Sequence, residues 1–536
     1  MSPTRREAIA QLTALAAAAS LPRPIWALGT RRSPDPLDGT IADYLAGLER
    51  GDWTVAEVTS AALERCRTTG ATLRAIDALS ETALDEARAA DQRRRVGANL
   101  GPLDGVPVFA KAIYDMDRTP TTASSAEWAR LFPDDVRRDC IEIRRLRVAG
   151  ALVLGKTAAD DFAYHGVGTS SHTGQVVNPY DPSGTRTPGG SSAGSAVAVA
   201  CGMAFAALGT DDGGSNRIPA VCTGVVGMKP TFGLVPRDGV IPTWPYLDTH
   251  GPLARHVADA ALLLAAVAGP DPSDPLALTG PFDVASLLTL RDDALAGVRL
   301  GLVEAHVPRD QMSAEAVATW DRAVADLRAA GAEIVPFEPS VTLATYRSAF
   351  DEAASRRGDV PVNHRSPAPT ANAYQLYFAG RSKKPRELMR RGYPAFQHYY
   401  DVLPETYEEC VPLFDQPMQN DPAGQSFARS RAEVVAALAA SMREAGVAAM
   451  VYPTMPFNAF SLAEGWPDVH TALGYGNWLG LPEVSVPSGL GADGMPALNL
   501  SLVGLPGRDA EVLAMAHAYE REGGGFVAPD NGVRGS

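Results

Sequence analysis

The sequence has few of the residues that build cross-linked, metal-bound or membrane-embedded proteins. It contains five cysteines in 536 residues, with no CxxC pair and no Cys/His cluster at zinc-binding spacing. We therefore expect neither a disulfide framework nor a metal site. No stretch reaches the roughly 18 uninterrupted apolar residues of a membrane span. Stable insertion into a bilayer is not expected either.

Positive charge is also scarce. The chain has 48 Lys and Arg residues against 62 Asp and Glu residues, which gives a net charge of −14. This balance disfavours nucleic acid and anionic membrane surfaces as partners. The expected partners are a small-molecule substrate and water, with the protein acting as a monomer or homodimer. The hydrophobic fraction of 46% is ordinary for a globular protein with a large core.

The N-terminal residues 1–29 have the layout of an export signal. The pair Arg5–Arg6 precedes a short, weakly apolar run over residues 8–21. A charged start followed by such a run is typical of a cleaved signal, and two arginines indicate the twin-arginine route. An alanine-rich amphipathic helix at a cytoplasmic N-terminus is the alternative. The signal predicts a periplasmic or secreted mature protein.

Residues 30–536 show strand and helix patterns in alternation. This alternation predicts one large α/β domain with a mixed, mostly parallel β-sheet and helices on both faces. Two helices split at Gly51–Asp52, and Thr54 should cap the second with Glu57 as its capping-box partner. The other predicted helices cover 258–268, 313–330, 427–445 and 509–522. The predicted strands cover 105–111, 151–156, 298–307, 332–337, 448–454, 483–487 and 498–505.

The segment from about 355 to 425 differs from the rest in its charge, proline and aromatic content. We expect helical hairpins inserted into the main fold. They form either an ordinary surface insertion or a cap over an active site. If they form a cap, its aromatic side chains would line a substrate entrance; the candidates are Tyr374, Tyr377, Phe378, Phe396 and Tyr399.

The stretch "TPGGSSAGSAVAVACGMAFAALGTDDGGSNRIPA" at 187–220 is rich in serine and glycine. Ser192 fits the G-x-S-x-G pattern of a nucleophile elbow, and "HGVG" at 165–168 resembles an esterase oxyanion motif. That hypothesis needs a catalytic histidine, for which His470 and His517 are candidates. The preceding "NPYDPSGTRTP" forms loops, not the apolar strand that an elbow requires. A structural alternative is a buried helix that begins at Ser191 or Ser192 and ends near Gly202.

Ser215 follows a Gly-Gly pair in what should be a tight turn. Consecutive N–H groups of such a turn can point at one oxyanion. No histidine is close in sequence, so the base must come from elsewhere. Lys111 ends the apolar segment "PVFAK", and burial would lower its pKa. A neutral lysine there could act as general base near pH 7.

With these motifs, the chain resembles the amidase signature family over about residues 35–525. The densest match is "GTRTPGGSSAGSAVAVACGMAFAALGTDDGGSNRIPAVCTGVVGMKPTFGLVP" at 184–236. Supporting segments include "GPLDGVPVFAKAIYD" at 101–115 and "NWLGLPEVSVPSGLGADGMPALNLSLVG" at 477–504. A motif of this length and spacing is highly specific.

The resemblance implies a Ser–cis-Ser–Lys triad that needs no cofactor and no metal. In this triad Ser215 is the nucleophile, Ser191 follows a cis peptide bond and relays the proton, and Lys111 is the base. Water then hydrolyses the acyl-enzyme. The resemblance also assigns supporting groups: an oxyanion hole from the backbone of Asp212, Gly213 and Gly214, a hydrogen-bonding Ser192, and Asp211 and Arg217 as braces of the turn.

Four positions depart from the family pattern. Asp212 stands where relatives carry Thr, Ser or Ile, Asn216 replaces Ile or Val, Ala112 replaces Asp, and Ala193 replaces Gly. An acid at position 212 would oppose an oxyanion unless it is paired or points away. Because no triad member is missing, we expect an active enzyme with an altered acyl pocket.

The predicted function is hydrolysis of small hydrophobic or aryl carboxylic amides outside the cytoplasm, and whether esters or carbamates are substrates too is left open by the sequence. Within the family, hydrolysis of peptide C-terminal amides or oligoamides is the alternative. The glutamine-hydrolysing subunit of the tRNA-dependent amidotransferase is disfavoured by the export signal. Outside the amidase signature family, the alternatives are an α/β-hydrolase esterase that uses Ser192 and a catalytically silent binding protein.

Overall fold

The computed structural model describes residues 35–133, 138–378, 385–400, 402–469 and 471–530. The predicted export signal at 1–29 lies outside these residues and stays a prediction. Thirteen strands occur in the described part of the chain: β1 Ile76–Leu79, β2 Pro107–Lys111, β3 Leu152–Thr157, β4 Thr169–Ser170, β5 Gly174–Gln175, β6 Ala206–Asp211, β7 Val226–Lys229, β8 Thr249–Ala254, β9 Arg299–Leu302, β10 Glu333–Pro336, β11 Ala449–Pro453, β12 Glu483–Pro487 and β13 Asn499–Val503.

Sixteen α-helices occur in the same residues, and none of them is long and apolar enough to cross a membrane. They are α1 Ile41–Arg50, α2 Val55–Arg65, α3 Ala83–Arg95, α4 Ala126–Leu131, α5 Ile141–Val148, α6 Ala193–Ala200, α7 Arg217–Thr223, α8 Val257–Val267, α9 Ala314–Ala329, α10 Tyr346–Arg357, α11 Pro367–Phe378, α12 Pro385–Gln397, α13 Tyr407–Phe414, α14 Pro422–Ala445, α15 Leu473–Leu479 and α16 Asp509–Glu522.

Eleven strands form one mixed sheet in the order β1-β3-β2-β6-β8-β7-β12-β13-β11-β9-β10. Every residue of β2, β3, β6 and β8 is buried. Because successive residues of a strand point to opposite faces, both faces of this part of the sheet are covered. The predicted α/β class with a mixed sheet is confirmed.

The predicted majority of parallel pairs is wrong. Four of the ten strand pairs in the described sheet are parallel: β2–β3, β2–β6, β9–β10 and β9–β11. The other six are antiparallel. Most of them belong to the middle of the sheet, where β8, β7, β12 and β13 connect the parallel part around β2 to the parallel part around β9. The sequence prediction left out β6, β7 and β8.

The helix predictions hold closely. The two N-terminal helices separate at Gly51, which ends α1 in the left-handed conformation with φ of 76°. Thr54 and Glu57 form the predicted capping box at the start of α2. The helix at 509–522 has the predicted bounds. Predicted helix 427–445 begins earlier, where Asp421 caps α14 and Pro422 occupies its first position.

The 355–425 segment does contain helices, α11 to α13. Of its named aromatic residues, Tyr374, Tyr377, Phe378 and Tyr399 do not line the cavity described below, and the Phe396 side chain lies outside the described part of the structure. Tyr374, Tyr377 and Phe378 are buried in the hydrophobic core. Tyr399 donates a hydrogen bond of 2.7 Å to Asp161. Whether the segment acts as a cap stays a prediction.

Candidate active site

The strand arrangement brings Lys111 and the end of β6 together. Strand β2 runs parallel to both β3 and β6, with Ala110 aligned with Leu208. Parallel neighbours place their carboxyl ends at the same edge of a sheet. Lys111, the last residue of β2, therefore lies beside Thr210 at the end of β6, and its side chain is fully buried.

The Lys111 amino group is held by two hydroxyl groups. Its Nζ lies 2.7 Å from Ser191 Oγ and 2.8 Å from Thr210 Oγ1. The peptide bond between Gly190 and Ser191 is cis, as the family resemblance implied. Burial lowers the pKa of Lys111 to about 8, although nearby carboxylates act in the opposite direction. The geometry and the pKa both suit a base that accepts a proton from Ser191.

Ser215 lies on the turn between β6 and α7, at the floor of a cavity of about 490 Å³. Its side chain is buried, with 8% exposure. The backbone N–H of Ser192 donates to the Ser215 carbonyl over 3.2 Å, which joins the Ser191 segment to this turn. Ser215 thus has access to the cavity, whereas Ser191 is fully buried.

Ser192 is an unsuitable nucleophile in this arrangement. Its side chain is fully buried, and its Oγ accepts a hydrogen bond from Thr210 N and lies 3.2 Å from Asn216 Oδ1. Of the histidines considered for the esterase hypothesis, His517 lies 3.1 Å from Asp292, and His470 lies outside the described residues. Ser192 thus makes hydrogen-bond contacts next to the Ser215 turn, and its supporting role stays a prediction.

Asp211 and Arg217 form a buried ion pair next to the Ser215 turn. Arg217 makes two hydrogen bonds to Asp211, of 3.0 and 2.9 Å, and one of 2.7 Å to Glu483. Both carboxylates and the guanidinium are almost completely buried. Burial opposes ionisation of Asp211, but the Arg217 charge outweighs it and holds the Asp211 pKa below its usual value. The side chain of Asn477 also donates to Asp211, over 3.0 Å.

The Gly214 amide is already engaged. It donates to Asp211 Oδ1 over 2.7 Å, so this geometry does not support its predicted place in the oxyanion hole. In the described residues, the backbone amides of Asp212, Gly213 and Ser215 make no such internal hydrogen bond. Gly214 has φ of +115°, a conformation that favours glycine. Asp212, Gly213 and Ser215 also line the cavity, and the role of their amides in an oxyanion hole stays a prediction.

Aromatic side chains surround the cavity, but they are not those predicted from the sequence. Five tyrosine and tryptophan rings line its wall, together with the imidazoles of His165 and His364 and two arginine side chains. Arg365 stacks on Trp244, with its guanidinium carbon 4.2 Å from the ring centroid. The sequence offered no signal for these rings, because they come from distant segments; they are Tyr164, Trp244, Tyr346, Trp466 and Trp478.

Comparison with known proteins agrees with this geometry. The family model described as Amidase matches residues 57–513. A glutamyl-tRNA(Gln) amidotransferase subunit of Cereibacter sphaeroides is 36% identical over 511 residues, which cover 91% of this chain and 98% of that protein. The corresponding subunit of Chloroflexus aurantiacus is 35% identical, with 90% and 96% coverage.

Solved structures show the same fold. The native peptide amidase of Stenotrophomonas maltophilia is 31% identical, with a TM-score of 0.72, and the match covers 92% of this chain and 98% of that one. Peptide amidase in complex with the competitive inhibitor chymostatin gives a TM-score of 0.73 at the same identity. The chain therefore belongs to the amidase family and is an enzyme that hydrolyses amides.

Proposed function

We propose that this enzyme hydrolyses small aromatic or hydrophobic carboxylic amides through an acyl-enzyme on Ser215. The observation that carries the proposal is the 2.7 Å contact between Lys111 and Ser191, in a segment that the Ser192 amide ties to Ser215, which lines an aromatic cavity. Neutral Lys111 accepts the proton of Ser191, and Ser191 accepts the proton of Ser215. The Ser215 oxygen then attacks the amide carbonyl carbon, and the amides of the turn stabilise the oxyanion.

The collapse of the tetrahedral intermediate requires the proton to return. An amine anion is a very poor leaving group, so Ser191 donates a proton to the departing nitrogen as the C–N bond breaks. Water then attacks the acyl-enzyme by the same relay and releases the carboxylic acid. The cavity size falls within the range of small-molecule sites, and its rings suit an aromatic or apolar group.

Hydrolysis of 4-nitroacetanilide, with 4-nitrophenyl acetate alongside, tests the mechanism. We expect Ser215→Ala and Lys111→Ala to lose amide cleavage, because each removes a member of one relay, and their effects should not add. Ser192→Ala should keep part of the activity, since Ser192 supports the site without reacting. Ser195→Ala is the matched control: Ser195 is a buried serine whose Oγ lies 2.7 Å from Thr157, away from the cavity.

The outcome separates the hypotheses for the serines. Loss of activity only in Ser192→Ala would establish the nucleophile elbow and refute the Ser215 mechanism. Equal turnover by the wild type and Ser215→Ala would refute any role for Ser215 as nucleophile. No Ser215-dependent turnover on any amide or ester would favour the silent binding protein.

Peptide amides are the second candidate class, because a peptide amidase shares the fold at 31% identity. Ammonia release from N-acetyl-phenylalanine amide, compared with release from glutamine, distinguishes this class from glutamine hydrolysis. An aromatic cavity predicts faster turnover of the phenylalanine amide. Faster turnover of glutamine would favour an activity like that named for the amidotransferase relative.

A further inference from the structure

The wall of the candidate cavity carries positive charge in a protein that is otherwise acidic. The chain has a net charge of −14, yet Arg347 and Arg365 both line the cavity. Among the described residues, Asp212 is the one acid in the same lining. Its Oδ2 accepts a hydrogen bond of 2.5 Å from the Thr243 hydroxyl, and burial raises its pKa well above the usual value. Because burial disfavours its ionised form, Asp212 is a weak counter-charge for two arginines.

Arg347, in the first turn of α10, is held by aromatic rings and not by an acid. Its guanidinium carbon lies 5.6 Å from the ring centroids of both Tyr346 and Trp478. Its Nε donates a hydrogen bond of 3.0 Å to the Tyr346 hydroxyl. Within the described ranges, no carboxylate lies within 4 Å of this guanidinium, and its two Nη groups make no hydrogen bond. A stacked guanidinium keeps its N–H edge available, and that planar edge fits a carboxylate.

The Tyr346 hydroxyl places a second donor beside this guanidinium. It accepts the bond from Nε and donates to no other group in the part of the chain that the structure describes. Tyr346 lines the same cavity as Ser215. A Cβ added at Gly474 would lie 3.2 Å from the Tyr346 hydroxyl, and one added at Gly214 would lie 2.9 Å from the side chain of Leu473. The start of α15 thus connects both donors to the Ser215 turn.

His364 is sensitive to the positive charge of this wall. Its imidazole packs against Trp478, with the ring centroids 4.6 Å apart. Burial lowers the pKa of His364 to about 4, and the charges of Arg365 and Arg347 act in the same direction. His364 is therefore neutral near pH 7. A cavity wall with unbalanced positive charge attracts anions and disfavours cations.

We propose, on the basis of the function proposed above, that the substrate amide carries a carboxylate and that Arg347 pairs with it. The carboxylate oxygens accept hydrogen bonds from the two Nη groups, and the Tyr346 hydroxyl donates a further one. The surrounding rings hold the apolar or aromatic part of the same molecule. The substrate class narrows to amides that combine an apolar or aromatic body with one acid group.

Two pairs of substrates that differ in this charge test the proposal. N-(4-nitrophenyl)glutaramate and N-(4-nitrophenyl)hexanamide release the same 4-nitroaniline, and only the first has a carboxylate, on its acyl side. The pair 4-acetamidobenzoate and 4-nitroacetanilide exchanges a carboxylate for a neutral nitro group of similar shape on the amine side. We expect Arg347→Gln to lose about tenfold in kcat/KM, chiefly through KM, for the acid of at least one pair. The neutral partner should change by less than about threefold, because it makes no charged hydrogen bond with this residue.

Three further variants separate the charge from the shape of the side chain. Arg347→Lys should recover part of the loss, since lysine keeps the charge without the planar fork. Tyr346→Phe should weaken turnover of the acid less than Arg347→Gln does, because it removes one donor and no charge. Arg356→Gln is the matched control: Arg356 is an exposed arginine on the same helix that pairs with Glu433 over 3.4 Å and does not line the cavity. It should leave both pairs of substrates at wild-type kcat/KM.

Binding without turnover separates failure of this inference from failure of the proposed function. Trp244 and Trp478 line the cavity, so quenching of tryptophan fluorescence in Ser215→Ala measures the Kd of benzoate and of the neutral benzamide. We expect benzoate to bind more tightly, and Arg347→Gln to remove that preference. The same result in an active Ser215→Ala would refute the relay and support the anion site.

Two outcomes would overturn the role of Arg347. One is an equal change in kcat/KM for the acid and the neutral member of both pairs in Arg347→Gln. The other is a Kd for benzoate that is no lower than that for benzamide. Either outcome, with Ser215→Ala and Lys111→Ala inactive on 4-nitroacetanilide, would refute the carboxylate site and leave the Ser215 mechanism intact.

Discussion

At the scale of single residues, the site contains a member that the sequence did not reveal. Thr210 contacts Lys111 Nζ over 2.8 Å, and its backbone amide donates to Ser192 Oγ. A lone threonine in a strand carries no recognisable signature, so only the pairing of β2 with β6 identifies it. By contrast, the candidate triad residues could be predicted from the sequence, because Ser191 and Ser215 stand in the long motif at 184–236 and Lys111 in the supporting segment at 101–115.

Thr210→Val should slow the chemical step. The substitution keeps the shape of the side chain but removes one of the two hydroxyls that orient the lysine. A hydrogen bond between neutral groups contributes about 0.5–1.5 kcal/mol, which corresponds to roughly 2- to 13-fold in rate. We expect that loss in kcat with little change in KM for 4-nitroacetanilide. Thr210→Ser should recover most of it; a valine variant with unchanged kcat would show that Ser191 alone positions Lys111.

At the scale of elements, the site depends on how the ends of β6, β12, α7 and α15 are tied together. Arg217, the first residue of α7, bonds to Asp211 at the end of β6 and to Glu483 at the start of β12. It also donates to Asn477 on α15 over 2.7 Å. One buried guanidinium thus fixes four elements under the oxyanion turn.

Arg217→Met should destabilise the fold as well as the site. Methionine leaves the two buried carboxylates without their cation, a change that costs about 3–5 kcal/mol. Urea unfolding followed by tryptophan fluorescence would measure the loss in the free energy of unfolding. Arg237→Met provides a comparison, because Arg237 pairs with a single carboxylate, Asp274. A smaller loss for Arg217→Met than for Arg237→Met would contradict the bracing role.

The elements that could be predicted are those in which polar and apolar residues recur at a regular spacing. The amphipathic helices and their caps were found because polar and apolar residues alternate at helical spacing. Strand β6, "AALGTD", was missed because it is fully buried and has alanine and glycine where strands usually have branched residues. Gly209 has no alternative there, since a Cβ would lie 2.2 Å from Asn216 Oδ1 and 2.6 Å from Ser192 Oγ. The parallel majority was wrong largely because β6, β7 and β8 were absent from the prediction.

At the scale of the whole molecule, the cysteines report on the integrity of the core. None of the five forms a disulfide in the described residues, all are buried, and they are distributed from the end of α2 to α13: Cys66, Cys140, Cys201, Cys222 and Cys410. Burial raises the pKa of Cys66 to about 12 and that of Cys410 to about 11. Because the thiolate is the reactive form, these thiols should be inert while the fold is closed.

Titration with Ellman's reagent therefore gives a test of cooperativity. We expect less than one thiol per chain to react at pH 8 in buffer, and five in concentrated urea. The midpoint for thiol exposure should coincide with the midpoint for loss of tryptophan fluorescence, because the single eleven-stranded sheet joins the regions that carry the cysteines. An early phase, in which one thiol reacts at lower urea than the others, would be assigned to Cys410 of α13 if it disappeared in the Cys410→Ser variant. The 355–425 segment would then open independently of the sheet. Such early opening would contradict cooperative unfolding and would give that segment the mobility that a cap over the active site requires.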